Sequence, residues 1–272
     1  MLEKSYAKIN LRLKVVGIND DNYHLLQMVN TRVNFYDILK FKKTKKKEIN
    51  VYMKEVKQEE NLVYSVASYM FNKYSLPGGL DIKIKKNIMI GAGLAGGSAN
   101  AATTINAINK LYKLNLNIDE KREIASRFGT DIIYCLDNYP ALVEGIGEKI
   151  KPFNISTKQN ILIINPNIKI ATKDIYNQYD ALYKYSAPLD KEVLESLDLK
   201  KLLENDLEQV VFAKYPQILN LKKQVLEYSS NVLMSGSGST IYVIDELKTL
   251  KKIYKEIKKI YPEYKYVLTK TR

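Results

Sequence analysis

The segment Ile90-Gly91-Ala92-Gly93-Leu94-Ala95-Gly96-Gly97-Ser98-Ala99-Asn100 constrains this chain more than any other. It joins an apolar strand pattern to an Ala-rich helix pattern almost without side chains. A tight strand-to-helix connection needs one glycine, yet Gly91, Gly93, Gly96 and Gly97 fall within seven residues. Glycine lets a backbone approach an anion closely and adopt positive φ, while the N–H groups and dipole of a helix starting near Ser98 supply partial positive charge. The loop reads as a phosphate cradle at a helix N-terminus.

Three known glycine signatures can be tested on it. A Walker A loop is excluded, since no Gly-Lys-Ser/Thr follows. Gly91, Gly93 and Gly96 satisfy G-x-G-x-x-G, and Asp119 lies near the distance of a ribose-binding acid, but Leu114-Asn115-Leu116-Asn117-Ile118 is too short and polar for the second buried strand of a dinucleotide-binding unit. Asp119 reads instead as the N-cap of a helix from Glu120 to Phe128. Neither His-Arg-Asp nor Asp-Phe-Gly occurs, which excludes the protein-kinase set.

The N-terminus carries a second constellation. Along Tyr6 to Val15, Ala7, Ile9, Leu11, Leu13 and Val15 alternate onto one face of a strand, so Lys8, Asn10 and Arg12 project together from the other, neighbours about 7 Å apart. A solvated outer face is the default for such positions. The segment Asp21-Asn22-Tyr23-His24-Leu25-Leu26-Gln27 contains the one histidine of the chain, too few for a zinc site.

Ala7-Lys8-Ile9-Asn10-Leu11, Asp21 to Gln27, Gly91 to Ala102, Gly129-Thr130-Asp131 and Ser235-Gly236-Ser237-Gly238 follow one another in an order that resembles the GHMP superfamily of galacto-, homoserine, mevalonate and phosphomevalonate kinases. The Lys8-Asn10 strand with Tyr23-His24 is similar to the branch acting on a cytidine diphosphate-linked methylerythritol in isoprenoid precursor synthesis. The resemblance implies an α+β, two-domain GHMP kinase fold. Residues 1–156 would form a ribosomal S5 domain 2-like domain with the glycine-rich ATP loop, and 157–272 a ferredoxin-like domain. It implies ATP with Mg2+, on ligands the sequence does not name. Met89, Ile90 and the run from Gly91 to Ala99 would hold the ATP phosphates, with Asn61 and Lys86 toward the nucleoside. Asp131 matches the catalytic aspartate and Lys8 its partner, although a helix cap is the structural alternative for Asp131. Asn10 would hold the polyol, Tyr23, His24 and Tyr176 the cytosine, while Thr172 and the loop Gly236, Ser237, Gly238 would complete the substrate site. Met89, Asn22 and Ile133 stand where the family usually has Pro, Gly and Pro.

At 272 residues the chain exceeds a comfortable single core, so two domains are expected. No uncharged apolar run approaches the about 18 residues of a membrane span, and no signal-peptide core is present, so a cytoplasmic enzyme with a small-molecule partner is expected. Cys135 reads as a buried, inert thiol. The net charge of +13 raises nucleic-acid binding. Its densest run, Lys42 to Lys47, reads however as an exposed hairpin tip, and Lys248, Lys251, Lys252, Lys255, Lys258 and Lys259 oppose Leu250, Ile253, Ile257 and Ile260 as the solvated face of a helix. A basic RNA-binding protein leaves the glycine loop unexplained, and a GHMP kinase for homoserine or mevalonate leaves Tyr23-His24 without a nucleobase to read.

Overall fold

The structure is a computed structural model describing residues 1–154, 158–188 and 202–272, so the expected domain boundary at 156/157 lies outside the described residues. The chain forms two compact units, each discontinuous in sequence. The first comprises Met1–Ala7, Phe35–Ile88 and Ala95–Asn138, the second Lys8–Asn34, Met89–Leu94 and Tyr139–Arg272. Two long strands, β1 (Leu2–Ile18) and β2 (His24–Thr44), contribute residues to both.

In the first unit the end of β2 pairs antiparallel with β4 (Gly79–Lys85), and β3 (Ile49–Tyr52) pairs parallel with β4 on its far side. The lysine run 42–47 is exposed, as expected, but it is not a hairpin tip, because β4 separates β2 from β3. The glycine pair at the start of β4 makes this crossing possible. A Cβ on Gly78 would stand 2.4 Å from the Thr44 carbonyl, and one on Gly79 2.1 Å from that of Lys46. Helix α1 (Leu62–Lys73) packs on α2 (Gly96–Tyr112), and Val63, Val66, Ala67 and Met70 of α1 and Ala101, Ala102, Ile105 and Ile108 of α2 are buried. Asn61 caps α1 as expected, its Oδ1 accepting from Val63 N at 3.0 Å.

Two helix starts differ from expectation. Helix α2 begins at Gly96, so Ser98 is its third residue and Ala95 its N-cap. Helix α3 (Ile118–Ser126) is capped by Asn117 instead of Asp119. Asn117 Oδ1 accepts from Glu120 N at 3.0 Å, and Glu120 returns a carboxylate oxygen to Asn117 N at 2.8 Å. This reciprocal box satisfies two otherwise orphaned donors, which a cap at Asp119 could not do. The short helix α4 (Thr130–Cys135) closes the unit and keeps Cys135 buried.

In the second unit, β5 (Ala141–Gly145) pairs antiparallel with the start of β2 and turns into β6 (Lys149–Pro152). A further sheet has the antiparallel order β11-β7-β10-β9, from β7 (Asn160–Asn165), β9 (Val232–Met234), β10 (Ile241–Ile244) and β11 (Lys265–Lys270). Ile161, Leu162, Ile163 and Ile164 are all fully buried in β7, since an inner strand covered on both faces calls for an unbroken apolar run. Helices α5 (Thr172–Leu182), α6 (Glu208–Lys214), α7 (Pro216–Leu226) and α8 (Leu247–Ile260) complete the layering expected of a ferredoxin-like domain. The lysine-rich face of α8 is solvated, and Leu250, Ile253 and Ile257 point inward. Ile260, expected on the inner face, is exposed at the last residue of the helix. No helix among the described residues is long and apolar enough to cross a membrane.

Candidate active site

The polar face of β1 is not a solvated surface. Lys8 is 4% exposed, Asn10 0% and Arg12 8%, as buried as the apolar face opposite. Burying such groups is costly unless they are hydrogen-bonded. Lys8 Nζ donates to Asn10 Oδ1 at 3.0 Å, Asn10 Nδ2 donates to Asn30 Oδ1 at 2.6 Å, and the Tyr242 hydroxyl donates to the Asn10 carbonyl at 2.7 Å. The Asn10 amide is thereby held in one orientation. Arg12 belongs to a different group. It pairs with Glu204 at 2.6 Å, beside Lys14 with Asp206 at 3.2 Å, and these ion pairs join β1 to β8 (Glu204–Asn205). Burial draws the Arg12 guanidinium below its ordinary pKa, and the charges of Glu204 and Asp206 oppose that.

Within the same unit the loop Met89–Leu94 lies against both β1 and the segment Ser235–Ser239. Lys8 N donates to the Leu94 carbonyl at 3.1 Å, and Ser235 Oγ donates to the Gly93 carbonyl at 2.8 Å. Gly93 has φ +72°, and a Cβ there would stand 2.0 Å from the Ser235 carbonyl oxygen. At Gly236, with φ +59°, a Cβ would meet Gly93 O at 3.3 Å and Asn10 Oδ1 at 3.5 Å. Asn205 Nδ2 donates to the carbonyls of Met234 and Gly236, both at 2.8 Å, and Thr172 Oγ1 lies 2.9 Å from Ser237 Oγ. The second glycine loop is therefore a held structure, not a slack hairpin. Met89, Ala92 and Leu94 are buried, whereas Ile90 and Gly91 face solvent.

In the same unit the rings of His24 and Tyr176 pack with centroids 4.4 Å apart at 31°. His24 Nε2 lies 2.8 and 3.0 Å from the two carboxylate oxygens of Asp180. Tyr23 is 59% exposed, so the ring on His24 is that of Tyr176. Asn22 adopts φ +62°, and Asn is among the few non-glycine residues that hold such a conformation readily.

The first unit carries the helix start. Lys86 forms a buried ion pair with Asp37, whose Oδ1 also accepts from Asn87 N at 2.7 Å and Ile88 N at 2.8 Å. A Cβ on Gly96 would lie 2.8 Å from Lys86 Nζ and 2.9 Å from Ile88 Cγ2, so glycine lets the first turn of α2 rest directly on this cation. Asn61 Nδ2 lies 3.5 Å from Met53 Sδ. Met53 lines a groove of about 560 Å³ with Val51, Tyr52, Lys54, Val56 and Lys57. Asp131 is the second residue of α4, whose N-cap is Gly129 with φ +146°. Asp131 therefore sits in the first turn of α4 and not at its N-cap position.

Ala95, the N-cap of α2, holds φ +51° and ψ +33° with no side-chain cap hydrogen bond. A left-handed L-residue costs about 1–2 kcal/mol, partly offset by glycine's greater freedom when unfolded. Ala95→Gly is expected to stabilise the chain by about 0.5–1 kcal/mol, read as a rise of about 1–4 °C in Tm by calorimetry. A lower Tm would show that the position is not strained.

Sequence reasoning missed Asp37, Asn30, Asn205 and Asp180. Each is one polar residue in an ordinary setting, paired across long sequence separations such as the 49 residues from Asp37 to Lys86. No local spacing reports such pairs. Among the described residues there is no group of three or more His, Cys, Asp and Glu that could hold a metal ion.

The GHMP kinases N terminal domain family matches residues 61–145, and the GHMP kinases C terminal family matches residues 193–263. These matches define the class, a small-molecule kinase of GHMP fold. A 4-diphosphocytidyl-2-C-methyl-D-erythritol kinase of Thermoanaerobacter pseudethanolicus (strain ATCC 33223 / 39E) is 37% identical over 265 residues, covering 93% of this chain and 91% of the relative. One from Clostridium botulinum (strain Kyoto / Type A2) is 35% identical, covering 94% and 98%. A crystal structure of a 4-(cytidine 5'-diphospho)-2C-methyl-D-erythritol kinase superposes over 100% of both chains with a TM-score of 0.85 and 25% identity. The chain belongs to the 4-diphosphocytidyl-2-C-methyl-D-erythritol kinase family of the GHMP kinases.

Proposed function

We propose that this chain transfers the γ-phosphoryl group of ATP to the 2-hydroxyl of 4-diphosphocytidyl-2-C-methyl-D-erythritol, a step of non-mevalonate isoprenoid precursor synthesis. One observation carries the reading beyond family kinship. A single compact unit sets the buried Lys8–Asn10 pair against two glycine loops at Gly93 and Gly236, and also holds a His24–Tyr176 stack suited to a planar base.

The residues divide the work by their chemistry. Backbone N–H groups from Met89 through Ala99, with Ser98 in the first turn of α2, would bind the ATP phosphates, with Lys86 toward the nucleoside. The groove holding Met53 beside Asn61 suits the nucleoside end. Mg2+ would enter with ATP as part of that substrate. Asp131 would accept the proton of the attacking hydroxyl as the oxygen–phosphorus bond forms and ADP leaves, with Lys8 as its partner in the same step. Asn10 would hold the polyol, and Thr172, Gly236, Ser237 and Gly238 the rest of the acceptor. The division at 156/157 between the family's two domains is part of this reading, and the two family matches end and begin on either side of it. So is a cytoplasmic location, where ATP is at hand.

The test is substrate competition. With ATP and Mg2+, the cytidyl alcohol should be phosphorylated far faster than homoserine or mevalonate, and comparable turnover of either rival would overturn the assignment. Tyr176→Ala, which removes the stacking face, should raise KM for the cytidyl substrate by about 5- to 150-fold, equivalent to about 1–3 kcal/mol, while KM for ATP stays put. Equal loss for both substrates would indicate damaged packing instead.

A further inference from the structure

We propose that Asp180 is a positioning residue that fixes the tautomer of His24 and so makes the site prefer a cytosine base over a uracil. The inference rests on the functional reading above, because it takes the nucleobase to lie against His24 and Tyr176. It begins from the contact between Asp180 and the ring. Both carboxylate oxygens reach Nε2, at 2.8 and 3.0 Å. A carboxylate only accepts hydrogen bonds, so Nε2 carries the hydrogen and, in the neutral ring, Nδ1 keeps its lone pair. Among the described residues Nδ1 has no hydrogen-bond partner.

Helix α5 supplies both constraints on this ring. Tyr176 and Asp180 are four residues apart and therefore on one face, so a single turn provides the ring that stacks on His24 and the carboxylate that locks it. The His24 side chain is 15% exposed, and the ring edge that Asp180 does not engage is the Nδ1 edge. An acceptor at that edge complements the 4-amino group of cytosine, which donates. It opposes the 4-oxo oxygen of uracil, which also accepts. Acceptor facing acceptor leaves two partly desolvated polar atoms unpaired, and that penalty discriminates better than the loss of one contact.

His24 is the only histidine in the chain, so the experiment needs no resonance assignment. In the full chain labelled with 15N-histidine, the neutral ring should show the Nε2–H tautomer. In Asp180→Asn, whose amide can donate as well as accept, a mixture should appear, and Asp180→Glu should restore the single form. In kinetics, the ratio of kcat/KM for the cytidyl substrate to that for its uridyl analogue should fall about tenfold in Asp180→Asn. The change should enter through KM, with kcat at saturation and KM for ATP nearly constant. An Nδ1–H tautomer in the wild type overturns the proposal, and so does an unchanged ratio in a variant whose tautomer has shifted. Should Asp180→Asn fail to fold, the wild-type spectrum and the Glu variant still decide the tautomer. Absence of cytidyl turnover by the wild type would overturn the functional reading and the base preference together, while the spectrum judges the Asp180–His24 lock separately.

Discussion

Asp131→Asn is expected to lower kcat by about 10²- to 10⁴-fold while ATP affinity and Tm stay near wild type. The substitution keeps size and polarity but removes the negative charge, and with it the proton acceptor for the attacking hydroxyl. Folding should tolerate the change. Helix α4 takes its N-cap from Gly129, and Asp131 follows at its second position, where an acidic side chain gains about 0.3–1 kcal/mol from the helix dipole. That dipole contribution corresponds to at most about 4 °C in Tm. Lys8→Ala should also be severe, for it empties a buried position whose ammonium donates to Asn10 at 3.0 Å. If both residues serve the same proton transfer, the double variant loses less than the product of the two single losses. Steady-state kinetics and calorimetry on the three variants separate the roles, and an Asp131→Asn enzyme keeping most of its activity would remove Asp131 from the mechanism.

What was legible in the sequence was local. Strict alternation from Ala7 to Val15 gives β1, the apolar run at Ile161 gives the inner strand β7, and the spacing of Leu250, Ile253 and Ile257 gives the buried face of α8. The glycine run announces its loop because a left-handed φ at Gly91 and Gly93 leaves a compositional trace. Where the reading erred, a neighbour distant in sequence decided the outcome. Nothing in Lys42 to Lys47 shows that β4 will slot between β2 and β3, since the enabling residues are Gly78 and Gly79. Nor does alternation reveal that the far face of β1 is buried as well, because what covers Asn10 comes from Asn30 and Tyr242. At the start of α3 two good cap residues competed, and Asn117 prevailed because only its spacing to Glu120 closes the reciprocal box.

Gly93→Ala should be the most damaging change available in the glycine loop, and Gly91→Ala a mild one, although the two residues share the same motif and nearly the same backbone. Both have positive φ, +64° at Gly91 and +72° at Gly93, so alanine incurs about 1–2 kcal/mol of conformational strain at either place. Their surroundings separate them. A Cβ at Gly91 meets nothing nearer than the Lys169 side chain at 3.8 Å, an ordinary contact. A Cβ at Gly93 would stand 2.0 Å from the Ser235 carbonyl oxygen and 3.0 Å from that of Gly238. Those atoms are backbone and cannot turn aside as a rotamer would. The Ser235 segment is itself held by the Ser235 hydroxyl on Gly93 O and by Asn205 on the Met234 and Gly236 carbonyls, so yielding breaks those hydrogen bonds at about 0.5–1.5 kcal/mol each. Strain and lost bonds together amount to about 2.5–6.5 kcal/mol, a fall in kcat/KM of about 10²-fold or more if the loops separate, with Tm lowered by several degrees. Gly91→Ala should lose no more than about 2 kcal/mol in the same assays. The contrast tests the contact between the two loops directly: if Gly93→Ala were as mild as Gly91→Ala, the Ser235 loop would not rest on Gly93 in solution.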